Sequence, residues 1–261
     1  MVTIDRRLGR LVPYRVAFFP TAEYARHAAG ELEPRGMARL IAADVNVAVA
    51  SCVIRFGIDA TTCIDLDRPL EELRGKAHSG TRNKLGKAEK LLDRIKVVRN
   101  GPKAKHEFVA LYQSLVNAKG SQVLPLNAGI LDRYTGCSDI FIAYLDGATI
   151  CGHVNLRDDE IRRTRLLYSA SKRFDDTETA RLSGILNCYL HWHEIVAYKD
   201  DGFDTYNLGG ISNGQRSDAE GIDRFKLGFG GDVVEEHTYL CAGIPSLGRL
   251  ILRLFNTGRN R

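Results

Sequence analysis

The chain has 261 residues, 44% of them apolar and 26% charged, with a formal charge of +5 and a pI near 8.9. This is ordinary globular composition, long enough for one large domain or two small ones. The modest positive excess favours anionic partners such as phosphates, nucleotides, RNA or a lipid surface, without choosing among them.

Six cysteines, Cys52, Cys63, Cys137, Cys151, Cys188 and Cys241, stand far apart and form no C-x-x-C pair. They read as buried free thiols, neither zinc ligands at short spacing nor a secreted disulfide framework, and no metal is expected. Met1 to Arg15 is charged and lacks an apolar h-region, so a cytoplasmic protein is expected. The longest apolar stretch, Val45 to Ile54, is far short of the ~20 residues that span a bilayer.

In chain order, residues 21–39 carry Ala22, Ala25, Ala29 and Leu32 at helical spacing before a Pro34-Arg35-Gly36 break, and β-rich runs follow at about 38–50 and 51–66. From Leu70 to Leu92 the pattern is helical and basic, with Arg74, Lys76, Arg82, Lys84, Lys87 and Lys90. An extended stretch, Ile95 to Arg99, precedes a helix from Lys103 to Lys119. Past Pro125, strands are expected at Asp139 to Leu145, Thr149 to Leu156 and Thr164 to Ser171, with turns at Asp146-Gly147 and Asp158-Asp159. A long helix starts near Thr179 and ends at Asp201-Gly202, followed by a strand from Thr205 to Ile211, a short segment around Phe225 and a strand from Asp232 to Leu240. The tail, Leu247 to Phe255, is basic and amphipathic. No repeat or low-complexity segment interrupts the chain. A meander, a crossover helix and a returning strand make the second half a mixed α and β unit, with the helix crossing between the strands that hold Tyr168 and Tyr206.

Three segments then stand out. They are Arg82-Asn-Lys-Leu-Gly-Lys-Ala-Glu-Lys90; Trp192 through Gly202 to Tyr206-Asn207-Leu208-Gly209-Gly210-Ile211; and Gly221-Ile222-Asp223-Arg224-Phe225-Lys226-Leu227-Gly228-Phe229-Gly230-Gly231. In this order and spacing they resemble the Fem-type branch of the GNAT superfamily, over roughly 150 residues, and the aromatic-lysine pair followed by the glycine pair is the most specific part. The resemblance implies an α+β, GNAT-like fold with a splayed central cleft and no metal requirement. It also implies transfer of an acyl or aminoacyl group to an amine. Fem-type enzymes usually hold two such domains, for which this chain is too short. A reduced N-terminal half-domain over residues 1–100, ending in the basic helix, is therefore expected before a GNAT-like core at 101–261.

Acyl transfer needs a neutral amine nucleophile, stabilisation of a tetrahedral oxyanion and a protonated leaving group in one water-poor cleft. Lys226, preceded by Phe225, is the candidate for the electrostatic part, against its reading as a surface lysine in a turn. Gly209 and Gly210 either let backbone approach a ligand or form a β-bulge, and Asn207 precedes them on the same strand. His153 and His193 are candidate bases or hydrogen-bonded core residues, and Tyr168 and Tyr206 either protonate a leaving group or pack. Arg82 matches the family's basic position and is expected to touch a phosphorylated donor or acceptor such as tRNA, a nucleotide sugar or a lipid-linked glycan. Superfamily members that use acyl-CoA hold its pyrophosphate at a helix N-terminus. The partial match here is Arg181-Leu-Ser-Gly184-Ile-Leu186, which has leucine where a small residue is usual.

Acyl-CoA is the preferred donor at this stage, with an amino sugar in glycan or cell-envelope biosynthesis as acceptor. The alternatives are an aminoacyl-tRNA-dependent transferase and a non-catalytic RNA- or membrane-binding relic. The tail could lie on an anionic membrane or pack as a terminal helix.

Overall fold

The computed structural model describes residues 1–8, 12–20, 24, 37–43, 53–120, 124–173, 176–212 and 220–242. The expected helix within 21–39 lies outside the described residues except for Tyr24 and for 37–39, which belong to a strand, and the tail Leu247 to Phe255 lies outside them altogether. The chain divides into two compact units. One comprises Met1–Thr61 with Val234–Arg261, the other Thr62–Val233.

In the first unit, β1 (Val2–Leu8) and β2 (Val12–Phe18) form an antiparallel hairpin, with Val2 opposite Phe18. Strand β3 (Met37–Ala43) runs parallel to β2, and β10 (Asp232–Ala242) pairs antiparallel with β3. Val2, Ile4, Val16, Phe18, Leu40 and Tyr239 are among its buried apolar residues.

The second unit carries the meander. Strands β5 (Ile95–Arg99), β6 (Ser138–Leu145), β7 (Ala148–Asp158) and β8 (Arg163–Ser171) are successive antiparallel neighbours, and β9 (Thr205–Ile211) lies parallel to β8. The end of β4 (Val53–Asp65) flanks β9. Asp146 and Gly147, with φ of 50° and 79°, connect β6 to β7 in two residues, the conformation that a primed hairpin turn requires and that Asp-Gly supplies. At the next turn the Asp158 carboxylate accepts from the amides of Glu160 and Ile161.

Side-chain alternation along β6 divides the core. Phe141, Ala143 and Leu145 belong to a cluster with Ile185, Leu186, Leu190, Ile195 and Tyr198 of helix α5 (Thr177–Asp200), while Ile142 joins Phe108, Leu111 and Tyr112 of α3 (Ala104–Lys119). Helices thus cover both faces of the sheet, with α5 crossing between β8 and β9 as the sequence predicts. Among the described residues, no helix is long and apolar enough to cross a membrane.

The basic stretch expected as one helix is two, α1 (Leu70–Lys76) and α2 (Ser79–Glu89). Ala77 and His78 are extended, and the His78 amide donates to the Gly228 carbonyl at 2.8 Å. A tertiary hydrogen bond therefore wins over local propensity at this point.

Gly228 follows α6 (Glu220–Leu227), and the glycines after it are close-approach positions. Gly230 has φ of +73°, and a Cβ there would sit 2.4 Å from the Lys76 carbonyl oxygen; one on Gly231 would sit 2.6 Å from that of Cys63. Gly230→Ala is expected to destabilise the fold by about 3 kcal/mol, combining backbone strain with a clash that no side chain can relieve. Gly221→Ala, where nothing lies within 4 Å, should be neutral or slightly stabilising. Urea melts of the two variants check this, and coincident midpoints would refute it.

Candidate active site

Strands β8 and β9 pair only at Arg163–Thr205, Thr164–Tyr206 and Arg165–Asn207. Beyond that rung β8 continues to Ser171 and β9 to Ile211, so the sheet opens into a fork between its parallel strands. Burial marks the opening. Arg165 through Ser169 are all half-buried although β8 is an interior strand, whereas its neighbour β7 is buried from Cys151 through Leu156.

At the fork, Gly209 has φ of +81°, and a Cβ there would lie 3.2 Å from the Leu166 carbonyl oxygen and 3.4 Å from Lys226 Nζ. Glycine is the residue this corner admits. Its amide donates to the Asn207 side-chain oxygen at 2.7 Å. The Lys226 ammonium, carried by α6, donates to the Gly210 carbonyl at 2.7 Å. Asp223 fixes α6 to the end of β9 by accepting from the Ser212 amide at 3.0 Å and from its hydroxyl. Burial, followed by the charge of Arg165, brings the Lys226 ammonium down to about 8, with Asp223 opposing. Lys226, Asn207, Gly209 and Gly210 therefore meet in one place.

Phe225 packs beside them. Its ring centroid lies 5.5 Å from His191 and 5.4 Å from Phe229, and the Lys84 ammonium stands 5.5 Å over its face. His191 leads into a buried polar network that joins two of the sequence candidates, His153 and Tyr206, to Glu194 and Asn187; the sequence reading did not single out His191, Glu194 or Asn187. His153 Nδ1–H donates to Glu194 at 2.9 Å, His153 Nε2 faces the Asn187 side-chain amide at 3.0 Å, the Tyr206 hydroxyl donates to Glu194 at 2.5 Å, and His191 Nδ1–H donates to the Tyr206 oxygen at 2.7 Å.

Glu194 and His153 are 0% exposed. Burial, then the Glu194 carboxylate, holds the Tyr206 hydroxyl well above the usual phenol range, and burial, then His153 and Lys226, pushes His191 well below the usual imidazole range. The ligand atoms of His153, His191 and Glu194 lie within 4.8 Å of one another, a spacing that a metal ion could also span. In this structure the three satisfy their hydrogen-bonding needs through one another and through Tyr206 and Asn187.

The remaining candidates sit elsewhere. His193 lies edge-on to Phe141, with ring centroids 6.4 Å apart. Tyr168 contacts the rings of Tyr112 and Tyr134 in the α3 cluster, while Tyr206 belongs to the α5 cluster, so the two tyrosines serve opposite faces of the sheet. The Arg82 guanidinium donates to the carbonyls of Gly75 and Ala77 at the end of α1. Arg181 is exposed, 3.9 Å from Glu178, and Gly184 lies inside α5. The Asp176 carboxylate caps that helix, accepting from the amides of Glu178 at 2.9 Å and Thr179 at 3.0 Å. Cys137, Cys151 and Cys188 are free thiols, and burial raises Cys188 to about 12.

A mixed sheet forked between its parallel strands, with a helix crossing from one tine to the other, is a GNAT-like fold. The solved structures that it resembles include FemX, 12% identical over 95% of this chain and 85% of that one, with a TM-score of 0.69. They also include the C-terminal domain of a putative lysylphosphatidylglycerol synthetase from Agrobacterium fabrum, at 14% identity, 96% and 83% coverage and a TM-score of 0.59. L-PGS from Bacillus licheniformis is 13% identical, with 97% and 85% coverage and a TM-score of 0.58. At these identities the likeness is one of fold. No protein-family model and no curated protein matches the sequence.

Proposed function

We propose that the protein is an acyltransferase that moves an acyl or aminoacyl group onto an amine at the fork between β8 and β9. The observation that carries this reading is the Lys226 ammonium held on the Gly210 carbonyl beside Gly209, at the point where the strands part. A neutral amine attacks the donor carbonyl carbon and the carbonyl π pair moves to oxygen. Lys226 faces the resulting oxyanion in a partly desolvated site, where a fixed charge is worth more than in water. The attacking nitrogen gives up a proton, and collapse re-forms the carbonyl and expels the leaving group, which leaves with the bonding pair and takes up that proton. The exposed backbone at Gly210, next to the buried Gly209, supports close approach of a substrate.

An aminoacyl ester is the donor that we favour over acyl-CoA. The amides of Glu178 and Thr179, where a CoA pyrophosphate would bind, already serve the Asp176 carboxylate, and the acids Asp176 and Glu178 oppose a phosphate there. Fold likeness to a protein named for lysylphosphatidylglycerol synthesis supports the same choice. For the acceptor we propose an amine, such as an amino sugar of a phosphorylated cell-envelope precursor, used in the cytoplasm. Acetyl-CoA calorimetry paired with a transfer assay on charged tRNA tests the donor. We expect transfer from tRNA without CoA binding. CoA binding with acetyl transfer would reverse the assignment, and neither activity would leave the protein as a binding module.

A further inference from the structure

Two side chains of α6, three residues apart and so on one face of the helix, hold the end of β9. Lys226 donates to the Gly210 carbonyl at 2.7 Å, while both carboxylate oxygens of Asp223 accept from the Ser212 amide at 3.0 Å and the Ser212 hydroxyl adds a further bond. Gly210 and Ser212 stand two apart in extended chain, so this carbonyl and this amide face the same way. Both lie beyond Arg165–Asn207, the last rung that β9 shares with β8. Past that rung a lysine and an aspartate do what a neighbouring strand would do, one as donor and the other as acceptor. The two are not equal in fixing the geometry. A lysine stem has four rotatable bonds and orders little by itself, whereas the short Asp223 side chain, only 8% exposed, ties the helix backbone directly to the strand. With one N–H on Gly210, the ammonium keeps two donors for a ligand.

We infer that Asp223 is the positioning residue of the fork: by holding Ser212 it seats α6 on the end of β9 and keeps the Lys226 ammonium aimed at the place where the strands part. Burial, then Arg165 on β8, depresses that ammonium, and Asp223 opposes them; His191 on α5 is the other titratable group that feels its charge, and β9 carries no charged residue. The inference rests on the transferase reading for what Lys226 does, but the surroundings of Lys226 can be measured without any transfer, so the two stand or fall separately.

The test is an NMR pH titration of protein labelled with carbon-13 lysine, with Lys226 assigned by the signal lost in Lys226→Arg. In the wild type it is expected to titrate near about 8. Asp223→Ala removes the seat, and because burial is the largest cause of the low value, release into water should raise the midpoint by about one pH unit or more. Asp223→Asn keeps an acceptor oxygen for Ser212 but not the charge, so the lysine stays buried without its supporting acid and the midpoint should fall below that of the wild type. A role confined to stability would lower the melting temperature of both variants and leave the titration of the folded protein where it was. An alanine midpoint that does not rise, or an asparagine midpoint at or above the wild-type value, would overturn the assignment, and the asparagine result decides alone should the alanine variant fail to fold. In the transfer assay the alkaline limb of Asp223→Asn should move down with its NMR midpoint. Midpoints that shift as expected in a protein that transfers nothing would remove the transferase reading and keep the positioning one.

Discussion

Replacing Lys226 by methionine is expected to lower kcat by about 10²–10³-fold, the usual cost of removing one electrostatic partner of a developing oxyanion. Methionine keeps the length and the apolar stem, so the fold around Gly209 and Phe225 should persist and the melting temperature should change little. The pH dependence gives a second, independent check. Lys226 works as a cation, and its value is depressed to about 8. The contribution of Lys226 is therefore full below that pH and lost as pH rises through it, well before an exposed lysine would titrate. Lys226→Arg should keep part of the activity and lose this alkaline limb, because a guanidinium stays charged. A wild-type rate in the methionine variant, or an alkaline limb unchanged in the arginine variant, would remove Lys226 from the chemistry.

Glu194→Ala is expected to cost about 3–5 kcal/mol of stability, because it strips a buried network of its central acceptor and leaves the His153 Nδ1–H and the Tyr206 O–H without an acceptor in the core. Three groups compete for that carboxylate's surroundings, His153 at 2.9 Å, Tyr206 at 2.5 Å and His191 at 3.8 Å. Glu194→Gln keeps the shape and one acceptor, so it should cost clearly less than alanine. Thermal melts of both variants decide the matter, and an alanine variant as stable as the wild type would mean that the network is dispensable.

Several elements were legible from residue pattern because their causes are local. Asp146-Gly147 writes its own turn, and the strand Thr205 to Ile211 falls where its apolar and glycine pattern places it. The helix boundary at Thr177 follows from the Asp176 cap. What escaped the pattern is set by distant neighbours. The interruption at Ala77 depends on the Gly228 carbonyl. On α5, helical spacing singled out His193, whereas the structure buries His191 and Glu194. That helix is enclosed by the sheet on one side and by α2 on another, where Cys188 Sγ donates to the Thr81 carbonyl at 3.8 Å, so its buried surface is too wide for a single stripe to mark. Arg165, which no sequence motif singles out, is set opposite Asn207 by strand register.

The glycine pair after Phe229 was read as part of a functional signature. Its geometry explains it as packing, since Gly230 and Gly231 lie against the backbone of Lys76 and Cys63. Lys226, in the same stretch of chain, instead reaches Gly209 and the Gly210 carbonyl at the fork. One motif thus has two physical causes, which only coordinates separate.

Strand β10 completes the first unit by pairing with β3, although the whole of the second unit lies between them in the chain. During synthesis the ribosome releases Thr62–Val233 before the partner that β3 needs has emerged. The later unit in space is therefore free to fold first in time, while the earlier strands wait with an unpaired edge. Loop-closure entropy falls when the intervening segment is already compact, because the ends to be joined are no longer separated by a fluctuating coil. The waiting edge is the part of the molecule most open to wrong pairing, and the speed at which translation passes beyond Val234 sets how long that exposure lasts.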